Sequence, residues 1–498
     1  MYEKVPKWKE ECGIYGVYSP TEDVSEMTYL GLFALQHRGQ ESAGIALTDG
    51  AWIDVKKGMG LVTEVFRSEL PHLDHAKIAI GHVRYATTGF SLAANAQPLR
   101  VNYAGGALAL AHNGDLTNAA WIRRDLESKG TVFQTTIDSE VFVHLIARSQ
   151  KATIEERILE TAQKVRGAFC LTIMTENKLI GVRDPQGFRP LCIGRTEEGG
   201  WVLSSETCAL DVNGASFVRD VLPGEMVVVE NGALRSYRFT NGQDVASCIF
   251  EYIYFARPDS IIDGQSVHAA RFEMGRVLAR ESGLRGDVVI SVPDSGTTAA
   301  TGFAYETGIP FAEGLIKNRY IGRTFIQPTQ KQRDTAVKLK LSPVRSVVEG
   351  KSVIMVDDSI VRGTTSREIV EMAKASGAKK VFFASAAPEV RYPNVYGIDM
   401  PTREELIANG RTAAEVAAEI SADGCVFQDL DELKAVIREM NPKIEAFDDS
   451  CFSGLYLTGD IDENYLQCLS ASKSSGAAAF VQPGLIDHSV RVENGNEE

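Results

Sequence analysis

The chain has 498 residues, a length that predicts roughly two or three domains with ample cores. Its formal net charge of −14 argues against a general nucleic-acid binder, because polyanion binding needs a basic face. The hydrophobic fraction of 44% is typical of a globular protein, and no run of about 18 uncharged apolar residues predicts a bilayer span. Eight cysteines without a C-x-x-C pair favour reduced thiols and a cytoplasmic location.

The first unusual feature along the chain is Cys12, which follows the charged residues 1–11 and precedes the strand-like run "GIYGVY". Residues 1–11 lack the apolar core of a secretory signal, so either Cys12 is a half-buried residue that begins a strand or residues 1–11 are a propeptide. Loss of that propeptide would make Cys12 the amino-terminal residue. Its own α-amino group, with a reference pKa of about 7.7–8, could then accept the thiol proton. His37, His82 and His112 are the candidates for a conventional Cys–His pair, but nothing in their spacing selects one.

Residues 12–240 are predicted to form a layered α+β domain. Short β-rich runs alternate with turn signals, including Asn113-Gly114 and Asn231-Gly232. Apolar residues at three- and four-residue steps predict helices over residues 27–36 and 139–148.

A second domain is predicted over residues 249–470, after the polar connection "TNGQDVASC". Strand, loop, helix, Gly377 as a helix stop and then a further strand make a βαβ unit, which predicts an α/β domain with a parallel sheet. The tail, residues 471–498, is rich in small and charged residues and is predicted to be loosely ordered.

A candidate phosphate site follows the apolar strand Val353–Val356. Backbone N–H groups at a helix start, together with hydroxyls and a flexible glycine, form a seat for a phosphate. The two carboxylates at the end of the strand would repel that phosphate unless they face ribose hydroxyls or Mg2+. The alternative is an ordinary βα turn in which Asp and Thr are caps. The residues concerned are Asp357, Asp358, Arg362, Gly363, Thr364, Thr365 and Ser366.

A basic segment inside this acidic chain, residues 317–346, is predicted to attract a polyphosphate and to close over it as a lid. The alternatives are a solvated charged loop and an RNA-contacting patch, but the segment lacks the aromatic interleaving of single-strand binders. Its basic residues are Lys317, Arg319, Arg323, Lys331, Arg333, Lys338, Lys340 and Arg345.

The motif "VIMVDDSIVRGTTS" resembles the signature of the phosphoribosyltransferases, which bind phosphoribosyl pyrophosphate (PRPP). The resemblance implies that Asp357 and Asp358 contact the ribose and help to hold a single Mg2+ per subunit. It also implies that residues 362–366 hold the 5′-phosphate. The loop "VPDSG" resembles the pyrophosphate loop of that family, which makes Ser295 a third metal-associated residue.

Five segments of the first domain resemble, in this order, the N-terminal-nucleophile (Ntn) glutaminase domains: "CGIYGV", "LQHRGQESAGI", "GHVRYATTG", "AHNGDLTN" and "TIDSE". The resemblance implies a four-layer αββα Ntn hydrolase fold, in which Cys12 attacks the side-chain amide of glutamine and ammonia leaves. By the same resemblance, Arg84 clamps the substrate carboxylate and Asp138 binds its ammonium group. The Asn113 side chain and the Gly114 N–H form the oxyanion hole. Asp138 is also typical of a helix N-cap, and the two roles are compatible.

The chain from Cys12 to about Gly459 resembles the glutamine PRPP amidotransferase family. That resemblance implies that ammonia from glutamine displaces pyrophosphate from PRPP, giving 5-phosphoribosylamine in the first committed step of purine synthesis. It also implies AMP and GMP as feedback inhibitors, a shielded path for ammonia, and a homodimer or homotetramer. Other glutaminase fusions would need an ATP-pyrophosphatase loop or sugar-isomerase repeats. A binding protein that only senses PRPP or purines is the rival from another class, and the intact residues of both sites argue against it.

One departure from the family concerns iron. Some relatives with a propeptide carry a [4Fe–4S] cluster, which needs four Cys ligands. Cys248 and Cys451 lie in segments similar to cluster-bearing ones, but Asn394 stands where such a relative has Cys, and Asp448 stands three positions before Cys451. Two thiolates cannot hold that cluster, so we predict no iron–sulfur cluster.

Overall fold

The computed structural model describes residues 12–85, 92–240, 245–318 and 341–475. For residues 471–475 only the backbone is described. The predicted propeptide and most of the basic segment therefore lie outside the described residues. In the part of the chain that is described, no helix is both long and apolar enough to cross a membrane.

The amino-terminal part consists of two antiparallel sheets and their flanking helices. The sheet orders are β11-β9-β10-β1-β4-β2-β3 and β13-β12-β8-β7-β6-β5. The strands are β1 (Gly13–Tyr18), β2 (Ser42–Thr48), β3 (Ile53–Met59), β4 (Ile78–Arg84), β5 (Leu99–Tyr103), β6 (Gly106–Leu116), β7 (Gly167–Met174), β8 (Lys178–Arg183), β9 (Cys192–Arg195), β10 (Trp201–Ser204), β11 (Ser216–Asp220), β12 (Glu225–Glu230) and β13 (Ala233–Arg238). The helices are α1 (Val24–Ala34), α2 (Val62–Val65), α3 (Ala119–Ser128), α4 (Glu140–Arg148), α5 (Ile154–Ala162) and α6 (Cys208–Asp211), with a 3-10 turn at Ala93–Asn95.

The two sheets face each other across a shared apolar core. Because side chains alternate along a strand, Ile14 of β1 points into this core with Leu179 of β8, while the neighbouring Tyr15 packs under α1. On the far side, Leu110 of β6 packs against Phe142 of α4 and the adjoining helices. Helix, sheet, sheet and helix follow in that order, so the predicted four-layer αββα fold is confirmed.

The carboxy-terminal part is built around a parallel sheet in the order β17-β20-β21-β22. The strands are β14 (Ser247–Cys248), β15 (Ile261–Ile262), β16 (Gln265–Ser266), β17 (Val288–Ser291), β18 (Leu315–Lys317), β19 (Leu341–Pro343), β20 (Ser352–Asp357), β21 (Lys380–Ser385), β22 (Gly424–Phe427) and β23 (Phe447–Asp448). The helices are α7 (Val267–Ser282), α8 (Thr297–Thr307), α9 (Arg345–Val348), α10 (Thr364–Ala375), α11 (Ala413–Glu419), α12 (Leu430–Met440), α13 (Ser450–Ser453) and α14 (Glu463–Ser475), with a π-turn at Glu251–Phe255 and a 3-10 turn at Arg403–Glu405.

Helices cover both faces of this parallel sheet, as the continuous apolar run "VIMV" of β20 predicts. Met355 points to the face covered by Ile369 of α10, and its neighbour Ile354 points to the face covered by Phe303 of α8. The prediction of a parallel α/β sheet in this half is confirmed.

Several local predictions differ from the structure. Asn113-Gly114 is not a turn but lies inside the long strand β6, whereas Asn231-Gly232 does join β12 to β13. Helices α3 and α5 were not predicted, although their buried apolar residues recur at helical spacing: Ile122 and Leu126 in α3, Ile158 and Ala162 in α5. Helix α14 continues through Ser475, into the segment 471–498 that was predicted to be loosely ordered; the remainder of that segment lies outside the described residues.

Candidate active sites

Cys12 lies immediately before β1, a central strand of the first sheet. The residue is buried, with 8% of its surface exposed, and its thiol donates to the carbonyl oxygen of Tyr85 across 3.6 Å. The carbonyl of Cys12 accepts a hydrogen bond of 3.1 Å from Nε of Arg38. The nucleophile predicted from the sequence is therefore held at both its side chain and its backbone.

A small cavity brings Cys12 together with other predicted residues. Its volume is about 10 Å³, enough for about one water molecule. Four predicted site residues line it, and Asn113 is not among the lining residues. Of the other five, four lie within the quoted motifs, which assign them no role in binding glutamine, and Gln97 lies outside those motifs. The predicted ones are Cys12, Arg84, Gly114 and Asp138, and the others are Tyr85, Gln97, His112, Ile137 and Ser139.

The open edge of β6 supplies backbone donors to this cavity. Strand β5 pairs with only the first half of β6, so among the described residues the edge of the second half has no neighbouring strand. There the His112 N–H donates to Gln97 Oε1 (2.8 Å), and the Leu116 N–H donates to Asp138 Oδ2 (3.0 Å). Because alternate residues of a strand present their N–H groups on the same edge, the Gly114 N–H points between these two bonds.

Asn113 adds a second donor beside Gly114. Its side chain is buried, with 1% of its surface exposed, and Nδ2 makes no hydrogen bond to any described residue. Leaving a buried amide donor without an acceptor costs about 1–3 kcal/mol. Such a donor is typical of a position that a ligand completes.

The two residues predicted to bind the α-groups of glutamine, Arg84 and Asp138, both line the cavity. Arg84, at the end of β4, is buried and donates from Nη1 to Glu41 Oε1 at 3.1 Å. Burial acts to raise the pKa of the Asp138 carboxyl, but attraction and hydrogen bonding from His112, together with hydrogen bonds from Leu116 and Ser139, hold that pKa below its usual range. Asp138 is not the N-cap of α4 as the sequence indicated: that position is Ser139, and the Asp138 carboxylate bonds to Leu116 instead.

Two of the three histidines considered as partners for Cys12 contact other side chains. His37 contacts Glu206 through Nε2 (2.7 Å) and the Ala34 carbonyl through Nδ1 (3.2 Å). His112 contacts Ser139 Oγ through Nδ1 at 3.0 Å. His82 is fully buried, and burial lowers its pKa to about 3, so the ring is neutral near neutral pH.

The second candidate site lies at the carboxyl ends of β17 and β20, which are adjacent parallel strands. Ser295 Oγ, from the loop after β17, donates to Asp358 Oδ1 at 2.6 Å. Asp357 is buried at the end of β20, and its Oδ1 accepts the N–H of Asp358 at 2.9 Å. The three residues predicted to associate with Mg2+ are thus brought together.

The predicted phosphate seat is the first turn of α10. Gly363 is the residue before the helix, with φ of +73°, and a Cβ there would lie 2.1 Å from Ile407 Cδ1. The N–H groups of the first turn, residues 364–366, have no partners within the helix. Arg362 lies beside them, 3.5 Å from Glu405, and its side chain is about two-fifths exposed. The end residues of the basic segment pair locally, Lys317 with Asp294 and Arg345 with Glu349.

Three of the residues compared with the ligands of an iron–sulfur cluster, Cys248, Asn394 and Asp448, lie together. Cys248 of β14 pairs in parallel register with Asp448 of β23. Asn394 Nδ2 donates to Asp448 Oδ2 at 3.4 Å, and burial raises the pKa of that carboxyl. Among the described residues, no group of three or more His, Cys, Asp or Glu side chains could hold a metal ion. The absence of a cluster stays a prediction.

Two family models match this chain. A glutamine amidotransferase domain matches residues 82–212, and a phosphoribosyl transferase domain matches residues 275–393. The molecule is therefore a glutamine amidotransferase joined to a phosphoribosyltransferase.

Relatives over nearly the whole chain define the family further. The amidophosphoribosyltransferase of Bacillus subtilis is 47% identical over 467 residues, which are 92% of this chain and 96% of the relative. That of Methanocaldococcus jannaschii is 49% identical over 447 residues, 86% of this chain and 95% of the relative. The B. subtilis glutamine PRPP amidotransferase solved in complex with ADP and GMP superposes with a TM-score of 0.84 at 47% identity, covering 91% of this chain and 98% of that one.

The chain belongs to the amidophosphoribosyltransferase family. It is a glutamine-dependent pentosyltransferase of purine biosynthesis. Glutamine supplies ammonia, which displaces pyrophosphate from PRPP to give 5-phosphoribosylamine. The function expected from the sequence is confirmed.

Proposed function

We propose that Cys12 is the glutaminase nucleophile and that Asn113 and Gly114 stabilise the oxyanion of its tetrahedral intermediate. The thiolate attacks the amide carbon of glutamine, ammonia leaves, and water then hydrolyses the thioester to glutamate. The observation that carries this proposal is that Asn113 Nδ2 is buried without a partner among the described residues, and that Asn113 directly precedes Gly114, which lines the cavity with Cys12. Two donors aimed at the developing charge are what an oxyanion hole needs.

Arg84 and Asp138 are proposed to bind the α-carboxylate and α-ammonium groups of glutamine. Both line the cavity with Cys12, and they carry the opposite charges that a free amino acid requires. Arg84 forms an ion pair with Glu41 in this conformation. Binding of the substrate carboxylate to Arg84 therefore accompanies a rearrangement of that ion pair. The lowered pKa of Asp138 keeps it ionised for the ammonium group.

Residues 1–11 are proposed to be a propeptide. Their removal frees the α-amine of Cys12, which then accepts the thiol proton and later returns it to the leaving ammonia. The engagement of His37 and His112 with other groups supports a base carried by Cys12 itself.

At the second site, we propose that Asp357 and Asp358 bind the ribose hydroxyls of PRPP. Arg362, Gly363, Thr364, Thr365 and Ser366 bind its 5′-phosphate through side chains and the free N–H groups of α10. Ser295, Asp357 and Asp358 fit a Mg2+ ion, because Mg2+ prefers oxygen ligands and takes one or two carboxylates plus substrate phosphates. When bound, Mg2+ neutralises charge on the departing pyrophosphate.

Three further properties belong to the proposal. Ammonia is only partly neutral near pH 7, so we propose a shielded path between the two sites. The B. subtilis relative solved with ADP and GMP supports purine nucleotides as ligands, and we propose AMP and GMP as feedback inhibitors. A homodimer or homotetramer and a cytoplasmic location remain predictions.

The decisive experiment concerns Cys12. Amino-terminal sequencing of the active protein should begin at Cys12. The variant Cys12→Ala should lose glutamine-dependent pyrophosphate release while keeping ammonia-dependent release, since the transferase site does not use the thiol. Cys468→Ala, which removes a partly exposed thiol in α14, is the matched control and should keep both activities. Full activity with Met1 retained, or glutamine use by Cys12→Ala, would overturn the proposal.

A further inference from the structure

The backbone of Cys12 is held by a buried arginine. Arg38 has 1% of its surface exposed, and its Nε donates to the Cys12 carbonyl at 3.1 Å. An amino-terminal residue has a single peptide bond, so the direction of its amine depends on how its carbonyl is fixed. Whatever positions the guanidinium of Arg38 therefore positions the amine and the thiol of Cys12.

Two buried carboxylates from different parts of the chain bind that guanidinium. Glu206 accepts from Nη1 of Arg38 at 2.6 Å, and Glu251 accepts from Nη1 at 3.0 Å and from Nη2 at 2.7 Å. Each carboxylate is about 1% exposed. Buried charges persist only when they are paired, so the arginine and the two glutamates hold one another in place.

Glu251 lies outside the glutaminase sandwich, on the π-turn that leads into the second domain. Arg271 of α7 anchors this turn: its Nε donates to the Tyr252 carbonyl at 2.7 Å and its Nη2 to the Ala256 carbonyl at 2.8 Å. Burial lowers the pKa of Arg271 to about 10, and attraction by Asp358 opposes that effect. A chain of buried contacts thus runs from the transferase side to the backbone of Cys12.

We propose that Glu251 is a positioning residue for glutamine hydrolysis: through Arg38 it fixes the carbonyl of Cys12 and hence the direction of the α-amine that receives the thiol proton. A residue at the start of the second domain thereby helps to position the glutaminase nucleophile. This inference rests on the proposed function of Cys12 as a terminal nucleophile. Glu251 itself is not among the residues that line the cavity with Cys12.

The test is the variant Glu251→Gln, which keeps the shape of the side chain but removes its charge. Asp263→Asn is the matched control, because Asp263 also pairs across the two parts of the chain, with Arg183 at 2.8 Å, and does not contact Arg38. For each variant, kcat and KM are measured with glutamine and with ammonia as nitrogen source. The rate of Cys12 alkylation by iodoacetamide is followed by peptide mass mapping.

For Glu251→Gln we expect kcat with glutamine to fall about 10- to 100-fold, because a misdirected base loses part of the contribution of proton transfer. Ammonia-dependent synthesis and the KM for glutamine should stay within about twofold, and alkylation of Cys12 should slow. Asp263→Asn should leave the ratio of the two activities unchanged. Should Glu251→Gln fail to fold, Arg38→Lys, which cannot hold the carbonyl and both carboxylates, is measured in the same way.

Three results would overturn the inference: unchanged glutamine-dependent kcat, an equal loss with glutamine and ammonia, or a loss confined to KM. These results are distinct from failure of the proposed function. That failure appears in the unsubstituted protein, as a retained Met1 or as glutamine use without Cys12.

Discussion

Replacing Gly114 with alanine should separate glutamine use from the transferase reaction. Gly114 has φ of +141°, and a Cβ there would lie 2.1 Å from the carbonyl oxygen of Ala168 and 2.6 Å from its carbonyl carbon. Both are backbone atoms of β7, so no side-chain rotation relieves the clash. The strands β6 and β7 must separate by about 1 Å to reach ordinary contact distance, which moves the Gly114 N–H.

The size of the effect follows from that displacement. A misplacement of about 1 Å in a catalytic group costs on the order of 10²-fold. Loss of one oxyanion donor lowers kcat by about 10²–10³-fold, which corresponds to about 2.7–4 kcal/mol. We therefore expect Gly114→Ala to lower glutamine-dependent kcat within that range. Ammonia-dependent pyrophosphate release should stay within about threefold of its original rate, because the transferase site is untouched.

The assay compares glutamate release from glutamine with pyrophosphate release from ammonia and PRPP. Gly130→Ala is the control for positive φ alone: its φ is +84°, and a Cβ there meets nothing within 4 Å. It should reduce stability by about 1–3 kcal/mol and leave both activities nearly unchanged. If Gly114→Ala turned over glutamine at close to the original rate, the assignment of its N–H to the oxyanion hole would be wrong.

Four further predictions test the remaining assignments. Asp138→Asn should raise the KM for glutamine about 10- to 100-fold by removing a charge-assisted hydrogen bond to its ammonium. Since the pKa of Asp138 is lowered, its carboxylate loses its charge only below about pH 3.9, the value for an ordinary aspartate. The KM for glutamine should therefore not rise through this group between about pH 7 and pH 5. A rise in that range that Asp138→Asn abolishes would contradict the lowered pKa. Chelation of divalent metal should stop pyrophosphate release with either nitrogen source. Asp358→Asn should raise the Mg2+ concentration needed for half-maximal activity at least about tenfold, and an unchanged concentration argues against Asp358 as a ligand. The purified protein should lack stoichiometric iron and absorption near 400 nm, because Cys248 and Cys451 are two thiolates where a cluster needs four. With 15N-labelled glutamine and saturating PRPP, added unlabelled ammonium should not dilute the label in the product, and dilution would refute a shielded path.

The fold was largely predictable because each half repeats a strong local signal. Successive apolar residues such as Ile14 and Tyr15 point to opposite faces of β1, and both faces are buried. The apolar run of β20 is likewise covered on both faces. Helix α3 was not predicted although Ala119, Ile122 and Leu126 recur at helical spacing and pack against one core; its remaining residues are mostly polar, which makes so short an apolar stripe easy to overlook. Asn113-Gly114 was taken for a turn because the dipeptide is a turn signal, whereas tertiary pairing of β6 with β7 continues through it.

The candidate sites were predictable where a motif carries the chemistry, and not where distant segments meet. Cys12, Gly114 and Asp138 come from separate motifs and line one cavity. Gln97 lines it as well, but a glutamine in a loop has no signal of its own. The contacts of Arg38 with Glu206 and Glu251 join residues 168 and 213 positions apart. Only the tertiary fold determines such pairs.

In the proposed function, both sites bind a negative charge with main-chain N–H groups that secondary structure leaves open. In the glutaminase site the donor is the β6 edge beyond β5, and in the transferase site it is the first turn of α10. Truncating a side chain does not remove a main-chain N–H group. The position of these donors is set by the backbone, and therefore by the conformations of Gly114 and Gly363. A Cβ at Gly114 would strike backbone, whereas one at Gly363 would strike the side-chain tip of Ile407, which can move. The glutaminase site should therefore tolerate glycine substitution less well than the transferase site.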